Sequence, residues 1–179
     1  MHLVEAAGKR VLLDCGMIQG SAEEERLNAA PFPFDPATLD AVVVSHAHID
    51  HTGRLPLLVA RGFKGTIHTQ EATADLLPIM LLDAASLQAS DAERSNRKRE
   101  PGTPEVHPLY TEEDVRATMA LVRTLRYGLR MPLVPGIDIT LRDAGHILGS
   151  ATVQLDAEGR TLVFSGDLGP KGTPILRDP

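Results

Sequence analysis

Histidine and aspartate are concentrated in the stretch VVVSHAHIDHTGRLP, residues 42–56. His46, His48, Asp50 and His51 fall within six positions, directly after an apolar run. Histidine is the commonest metal ligand, and neighbouring imidazoles disfavour one another's charged forms, so a bound cation would remove the cost of clustering them. The pattern therefore predicts a metal centre in preference to a solvated, histidine-rich loop.

The spacing within this stretch indicates how the ligands divide between ions. In an extended segment residues two apart point to the same side, so His46 and His48 can converge on one ion. Asp50 and His51 come just after the strand, where the chain turns, and the stretch could therefore serve two metals. Zinc binds imidazole nitrogen at ~2.0–2.1 Å and carboxylate oxygen at a similar distance, and it usually completes its coordination with a residue distant in sequence.

Two distant residues are candidates for that completion, His146 in DAGHILGS and Asp167 in VFSGDLG. Each follows a predicted strand and is flanked by glycine, which lets the backbone approach a crowded centre. His46, His48 and His146 would form a set of three histidines like those of catalytic zinc sites, and Asp167 has two oxygens with which to bridge to a second ion. Soft-ligand metals are disfavoured because the chain has no thiolate cluster.

The strands that must position these residues are predicted from runs and alternation of apolar residues. Residues 2–16 read as two short strands around an Ala-Gly-Lys turn. AVVVS is a continuous β-branched run typical of a strand buried on both faces, and it leads into the histidine cluster. GTIHT and IDITLRDAGH predict further strands, and ATVQLDAEGRTLVFSGD predicts a hairpin about Ala-Glu-Gly.

Helices are predicted between these strands. HTGRLPLLVARG indicates a short helix stopped by Gly62, and EATADLLPIMLLDAASLQ indicates a helix that Pro78 should kink or divide. The charged segment SDAERSNRKREPGTPEVHP is interpreted as a loop. Thr111 can cap a helix over EEDVRATMALVRTLR, in which apolar residues recur at helical spacing: Val115, Met119, Val122 and Leu125. Strands at both ends and helices in the middle predict sheets layered with helices.

Composition limits the class of protein. The chain has 179 residues, 42% hydrophobic and 23% charged, which predicts one globular domain with a sizeable core and excludes disordered, collagen-like and coiled-coil classes. The net charge of −6 counts against a whole-surface nucleic-acid binder. No membrane span or signal peptide is recognisable, and the single cysteine, Cys15, is interpreted as a core residue in a reducing compartment, so a cytoplasmic location is expected.

Four short motifs carry a resemblance to a known family. HAHIDH matches the His-x-His-x-Asp-His signature of the metallo-β-lactamase superfamily, while LLDCG, AGHILGS and FSGDLG resemble its first, third and fourth motifs in the proper order. More narrowly, DCGMIQG, HIDHTGRLP, AGHILGSA and SGDLG are similar to the β-CASP branch, the RNA-processing nucleases related to the cleavage-and-polyadenylation endonuclease. The resemblance covers nearly the whole chain.

The resemblance implies a four-layer αββα sandwich, of mixed α/β class, that holds two Zn²⁺ ions. The first zinc would be bound by His46, His48 and His146, and the second by Asp50 and His51, with Asp167 between them. Asp14 matches the motif aspartate that orients the site by accepting a hydrogen bond from a ligating imidazole.

The resemblance also sets an expectation for the length of the domain. Relatives of this kind have a strand before HLVE, and they continue past PILRDP into a β-CASP domain and a final histidine ligand. Residues 1–179 are therefore expected to be a partial metallo-β-lactamase domain, truncated at both ends. The resemblance leaves open a homodimer of the full-length form.

The resemblance implies zinc-dependent hydrolysis of RNA, with single-stranded RNA as substrate. Asp50, beside the ions, could then be both ligand and proton acceptor. Two alternatives stay open. One is an ester or thioester hydrolase of the glyoxalase-II type, although such enzymes carry Thr-Pro where this chain has Asp143-Ala144. The other is a zinc-binding chain without activity.

Other polar residues have ordinary explanations. His68 and His107 lie outside the motifs and are interpreted as surface or strand-end histidines. The basic residues of ERSNRKRE are interpreted as a solvated loop because glutamates are interspersed among them. Base-stacking side chains are scarce, since the chain has two tyrosines, four phenylalanines and no tryptophan.

Overall fold

Two β-sheets face each other, and helices cover the outer face of the first. The structure is a computed structural model that describes residues 1–179, apart from the side chain of Ala22. Its strands are β1 (His2–Ala6), β2 (Lys9–Leu13), β3 (Ala41–Val43), β4 (Thr66–Gln70), β5 (Val122–Leu125), β6 (Met131–Val134), β7 (Ile137–Asp143), β8 (Ala151–Ala157) and β9 (Arg160–Phe164). Its α-helices are α1 (Ala22–Glu25), α2 (Ile49–Thr52), α3 (Leu55–Ala60), α4 (Glu71–Arg97) and α5 (Glu112–Ala120).

The first sheet has the order β1-β2-β3-β4-β5 and carries the beginning of the candidate site. Strands β2 to β5 run parallel, and β1 joins β2 as an antiparallel hairpin. Its turn contains Ala7 and Gly8, both with positive φ (50° and 68°), as the predicted tight turn requires. All three residues of β3 are buried, which confirms the prediction of a strand covered on both faces.

The helices pack on one face of this sheet. Leu12, Val42 and Ile67 point from three adjacent strands into a cluster with helix residues such as Leu58 and Leu81, and each of these side chains is fully buried. Burying such a side chain contributes ~1.5–3 kcal/mol. The cluster therefore fixes the sheet against α3 and α4, and with it the strand ends that carry polar residues.

The second sheet, β6-β7-β8-β9, is antiparallel throughout. Val11 and Val43 of the first sheet meet Ile139 and Val153 of the second in a core between the sheets. The predicted hairpin is confirmed as β8 and β9, joined by Glu158 and Gly159.

The mixed α/β class predicted from the sequence is confirmed. The described residues build a layer of helices, the first sheet and the second sheet. Within them no helix covers the outer face of the second sheet, where Val163 of β9 is exposed. The fourth layer of the expected αββα sandwich is thus not formed by any helix of residues 1–179.

The segment after Gln88 differs from its prediction. Helix α4 extends through Ser90 to Arg97, although the sequence SDAERSNR was interpreted as a loop. Alanine, glutamate and arginine favour helix, Ala92 is buried, and Asp91 pairs with Arg94 one turn away. Pro78 lies inside α4 and does not divide it.

The segment after Ala120 also differs. Thr111 caps α5 as predicted, with a capping box that Asp114 completes, but residues 122–125 form β5 beside β4. Val122 packs on the helix side of the sheet, whereas Leu125 points into the core between the sheets. Residues three apart lie on opposite faces of a strand, so the spacing that suggested a helical stripe is a coincidence.

Among the described residues, no helix is both long enough and apolar enough to cross a bilayer.

Candidate metal centre

The site forms where strand ends from both sheets meet. Strands β2 and β3 are parallel neighbours, so the segments that follow them leave the sheet at the same edge. In the second sheet, the end of β7, the start of β8 and the end of β9 share one edge because these strands alternate in direction. The N–H of Ala151 donates to the carbonyl of Ser45 across 2.8 Å and joins the two edges.

Asp14 follows β2 and is the buried acceptor beneath the site. It has a φ of 56°, a left-handed conformation that aspartate tolerates better than most residues, and it is 2% exposed. Its Oδ1 accepts from the N–H of Ser45 at 2.7 Å, and its Oδ2 lies 2.6 Å from Nδ1 of His51. Asp14 therefore contacts both Ser45 and His51 from beneath the cluster.

Three imidazoles converge in the first half of the site. His48 Nδ1 lies 3.0 Å from His46 Nε2 and 3.2 Å from His146 Nε2. One ligand atom from each of these histidines and from Asp167 can be chosen so that all four lie within 4.8 Å of one another. The structure thus brings together residues separated by nearly a hundred positions in sequence.

The second half of the site lies on the other side of Asp167. Its Oδ2 lies 3.7 Å from His146 Nε2 and 4.0 Å from His46 Nε2. Its Oδ1 lies 3.4 Å from His51 Nε2, which in turn lies 3.7 Å from Asp50 Oδ2. The two oxygens of one carboxylate therefore face two different groups of candidate ligands, and Asp50 and His51 form the second group.

The donor atoms have the spacing of a metal site. Bonds of ~2.0–2.1 Å at tetrahedral angles separate neighbouring ligand atoms by about 3.3 Å. The nitrogen contacts of 3.0 and 3.2 Å and the carboxylate contacts of 3.4 to 4.0 Å lie close to that value. Nitrogen and carboxylate oxygen are ligands that Zn²⁺ accepts, and the side chain of Cys15 is buried in the hydrophobic core on the helix side of the first sheet.

The surroundings prepare the imidazoles for this role. Burial and the neighbouring His51 lower the pKa of His46 to about 4, so its ring is neutral at pH 7 and keeps a free lone pair. The hydrogen bond to Asp14 raises the pKa of His51 and holds its Nδ1–H, which leaves Nε2 toward Asp50 and Asp167. Both rings thus present Nε2 to the site.

Two glycines let the backbone close around the ligands. A Cβ on Gly16 would lie 1.5 Å from the carbonyl oxygen of Asp50, and a Cβ on Gly169 would lie 1.7 Å from that of Gly145. No other residue type permits such approaches. Gly16 therefore holds the loop after β2 against α2, and Gly169 holds the segment after Asp167 against the loop that carries His146.

The remaining histidines of the sequence prediction lie elsewhere. His68 bonds to Thr66 through Nε2, burial lowers its pKa, and His107 is exposed. The residue that the sequence prediction missed is Ser45, whose hydroxyl touches Asp14, His46 and His51. The sequence feature that could have identified Ser45 is its position between a predicted buried strand and the first histidine of the cluster.

An apolar cleft of about 530 Å³ opens beside the first group of ligands. His48 and His146 form one wall. The other lining residues are Ala47, Leu76, Met80, Ile147, Leu148, Thr173, Pro174, Ile175 and Leu176. No charged side chain lines this cleft, so it suits an uncharged part of a substrate.

A family comparison agrees with this fold and cluster. The family model of the metallo-beta-lactamase superfamily matches residues 1–179, and the chain belongs to that superfamily. The resemblance stated from its sequence motifs is thereby confirmed. Membership of this superfamily and the cluster of histidines with Asp167 together indicate a metal-binding protein.

Curated relatives are named as RNA nucleases or termination factors. The chain is 43% identical to ribonuclease TTHA0252 of Thermus thermophilus over 178 residues, which are 99% of this chain and 37% of the relative. It is 36% identical to the transcription termination factor FttA of Cenarchaeum symbiosum and 32% identical to endoribonuclease ysh1 of Aspergillus fumigatus, covering 93% of this chain in each case. It spans 24% and 18% of those relatives' lengths. These relatives confirm the resemblance to β-CASP nucleases.

Solved structures show the same fold at lower identity. A mutant metallo-beta-lactamase of Cronobacter sakazakii superposes with a TM-score of 0.54 at 20% identity, covering 96% of this chain and 59% of the other. Zn²⁺-bound PqqB of Methylobacterium extorquens gives a TM-score of 0.51 at 14% identity, covering 90% and 50%. The metallo-beta-lactamase fold is therefore shown by structure as well as by sequence.

Proposed function

We propose that this chain forms the metal-holding core of a hydrolase that cleaves RNA phosphodiester bonds. The observation that carries the proposal is the position of Asp167, whose two oxygens each face a separate group of ligands. Such an arrangement suits two cations that share one carboxylate. Paired cations clamp the attacking and leaving oxygens of a phosphodiester during displacement.

The proposed ions are two Zn²⁺. His46, His48 and His146 would hold the first, Asp50 and His51 the second, and Asp167 would bridge them. When bound, the two ions lower the pKa of water toward neutrality and stabilise negative charge on phosphate oxygens. The protein side chains then have to orient the ligands and accept a proton.

Asp50 is the proposed proton acceptor. Its side chain is 47% exposed, and its Oδ2 lies 3.7 Å from His51 Nε2, so it reaches both the ligands and solvent. Asp14 is proposed to act from beneath, because its bond to His51 Nδ1 fixes the direction of Nε2. A carboxylate within reach of the reacting proton is the geometric requirement for general-base catalysis.

Two observations support single-stranded RNA as substrate. Relatives at 43% and 32% identity are named a ribonuclease and an endoribonuclease. The apolar cleft beside His48 and His146 can take the face of an unpaired base without reading its hydrogen-bonding edge. The proposal extends to a cytoplasmic location and to a homodimer.

The cleft also favours a second candidate function. An acyl group is uncharged and apolar as well, so an ester or thioester hydrolase would use the same space. A third candidate is metal binding without turnover, for which the cluster of histidines with Asp167 is sufficient.

A substrate panel decides between these functions. Zinc-loaded chain is offered single-stranded RNA, bis-p-nitrophenyl phosphate and S-lactoylglutathione, with His46→Ala as the inactive control and His107→Ala as the matched, metal-retaining control. We expect hydrolysis of the two phosphodiesters only. Thioester cleavage alone would select the small-molecule hydrolase, and a zinc-dependent rise in Tm without any hydrolysis would select the inactive metal protein.

A further inference from the structure

Ser45 lies at the point where the parts of the site meet. It follows β3, precedes His46 and is fully buried. Its N–H donates to Asp14 Oδ1 and its hydroxyl donates to Asp14 Oδ2, each across 2.7 Å, while its carbonyl accepts from Ala151 of the second sheet. Ser45 therefore links the loop after β2 to the edge that carries the His146 loop.

The hydroxyl of Ser45 can also accept a hydrogen bond from a histidine ring. Its oxygen lies 3.0 Å from His46 Nδ1 and 3.5 Å from His51 Nδ1. The hydroxyl has one proton, which Asp14 accepts, and a remaining lone pair that can accept from His46 Nδ1–H. Among the described residues, no other hydrogen-bond partner reaches His46 Nδ1.

Ser45 also touches the backbone that carries Asp167. Gly166 has a φ of 56°, and a Cβ on it would lie 2.8 Å from the Cβ of Ser45 and 2.9 Å from its Oγ. The turn before Asp167 therefore rests directly on the Ser45 side chain. A larger residue at position 45 would push this turn away.

We propose that Ser45 is a positioning residue that holds His46 in the tautomer with a proton on Nδ1 and a lone pair on Nε2. The inference deepens the proposed metal site and rests on it. His51 reaches Asp14 Oδ2 directly, at 2.6 Å, and His46 reaches the same oxygen through the Ser45 hydroxyl. One buried carboxylate thus orients an imidazole in each half of the site.

The consequence for metal binding differs between the two halves. Ser45→Ala removes the acceptor for His46 Nδ1–H and keeps the backbone bond to Asp14. Loss of the hydrogen-bond partner of a ligating histidine typically lowers metal affinity about 10–100-fold, so binding at the first site should weaken by about that factor. Binding at the second site should change by less than about threefold, since the His51 to Asp14 bond remains.

Thr69→Val is the matched control. Thr69 is fully buried on the neighbouring strand β4, and its hydroxyl donates to the carbonyl of Val44 without touching any candidate ligand. The substitution removes a buried hydroxyl at nearly constant volume. It should lower stability without changing zinc affinity, and this separates positioning from general loss of packing.

Two measurements test the proposal. Long-range ¹H–¹⁵N spectra of the zinc-free protein report the tautomer of His46, and chelator competition reports zinc affinity at each site. We expect an Nδ1–H tautomer in the natural sequence and selective weakening of one site in Ser45→Ala. An Nε2–H tautomer, or equal zinc affinities in the natural sequence and Ser45→Ala, would overturn the inference.

These outcomes are distinct from failure of the proposed function. The tautomer is read without metal, so it decides the proposal even if Ser45→Ala folds poorly. If zinc binds as expected but no phosphodiester is cleaved, the proposed function fails and the role of Ser45 stands on the affinities. If the natural sequence binds no zinc at all, the proposed metal site fails, whereas the tautomer of His46 in the zinc-free protein still decides whether Ser45 orients its ring.

Discussion

At the scale of single residues, the site depends on atoms that face in defined directions. His46 and His51 present Nε2, whereas His48 presents Nδ1. Each buried ring nitrogen on the far side has a partner, Ser45 for His46 and Asp14 for His51. Loss of a ligand and loss of its orientation should therefore have different effects, and substitutions can tell them apart.

Removing one of the three converging imidazoles should abolish zinc at the first site. His46→Ala and His146→Ala each remove one of the three nitrogen atoms proposed to bind the first zinc. Zinc sites in enzymes have three protein ligands, so two nitrogens should not hold the ion. Elemental analysis after dialysis should show at least one zinc fewer per chain. His107→Ala, at an exposed position, is the control, and unchanged stoichiometry in both ligand variants would refute the ligand set.

Asp167→Asn should act mainly on the second site. The amide keeps the shape of the side chain but loses the negative charge that would let two cations lie close together. We expect the second zinc to bind at least about tenfold more weakly, while the first is held by its three histidines. Isothermal titration with zinc would measure the affinity of each site. Two sites with the affinities of the natural sequence would contradict the bridging role.

At the scale of elements, the loops that follow the strands are held together by close backbone contacts. The loop after β2 approaches α2 at Gly16, where the N–H of Cys15 donates to the carbonyl of His51 and that of Met17 to the carbonyl of Ile49. The positions of the candidate ligands in α2 therefore depend on the contact between α2 and the loop after β2.

Gly16→Ala should disturb both stability and metal binding. A methyl group 1.5 Å from the Asp50 carbonyl oxygen forces the loop and α2 apart, at a cost of about 3 kcal/mol in the free energy of unfolding. Gly20→Ala, in the same loop, meets only the flexible end of Glu24 and is the control. Urea unfolding and zinc titration check both, and equal effects in the two variants would argue against the contact.

Asp40 should stabilise the first sheet in a pH-dependent way. It bonds to Lys9 Nζ and to the N–H of Arg10, each at 2.8 Å, and the Lys9 contact above all lowers its pKa. Because the pKa is lower in the folded state, the stabilisation is complete above the unfolded pKa of ~3.9 and is lost as pH falls through the folded value.

The corresponding variant is Asp40→Asn. It should lower the free energy of unfolding by about 1 kcal/mol at pH 7, and the difference should shrink below about pH 4. Asp138→Asn, which removes a more exposed partner of Arg130, should change stability by less than about 0.5 kcal/mol. Urea unfolding at pH 7 and pH 3 tests this, and a difference that grows in acid would show the sign to be wrong.

At the scale of the whole molecule, the chain is acidic, with a net charge of −6. The basic residues at the end of α4 are exposed, and Arg94 is paired with Asp91. A negatively charged surface does not attract RNA over long distances. Binding should therefore rely on the metal centre and on the cleft beside it.

RNA cleavage should consequently depend weakly on salt. Contact with about two phosphates gives a slope near −1.4 for single strands, or about a sevenfold loss in rate between 50 and 200 mM salt. Initial rates at low RNA concentration would measure it, with Arg97→Ala/Lys98→Ala expected to leave the slope unchanged. A much steeper slope that this double variant reduces would instead indicate a basic RNA path along α4.

Local patterns in the sequence were sufficient to predict a large part of the fold and of the candidate site. The candidate ligands and their order along the chain, the buried β3 and the β8–β9 hairpin all follow from short-range signals. Each depends on residues a few positions apart: an apolar run, an alternation or a tight turn. The capping box of Thr111 and Asp114 belongs to the same class.

Only the tertiary structure decided the rest. The segment 122–125 is a strand because it pairs with β4. Helix α4 continues to Arg97, and Ala92 in its last part is buried against the rest of the fold. The role of Ser45 depends on Asp14, 31 positions earlier, and His48 meets His146 from 98 positions away. Such contacts arise when two sheets close on each other, and no periodicity within the chain records which residues they will join.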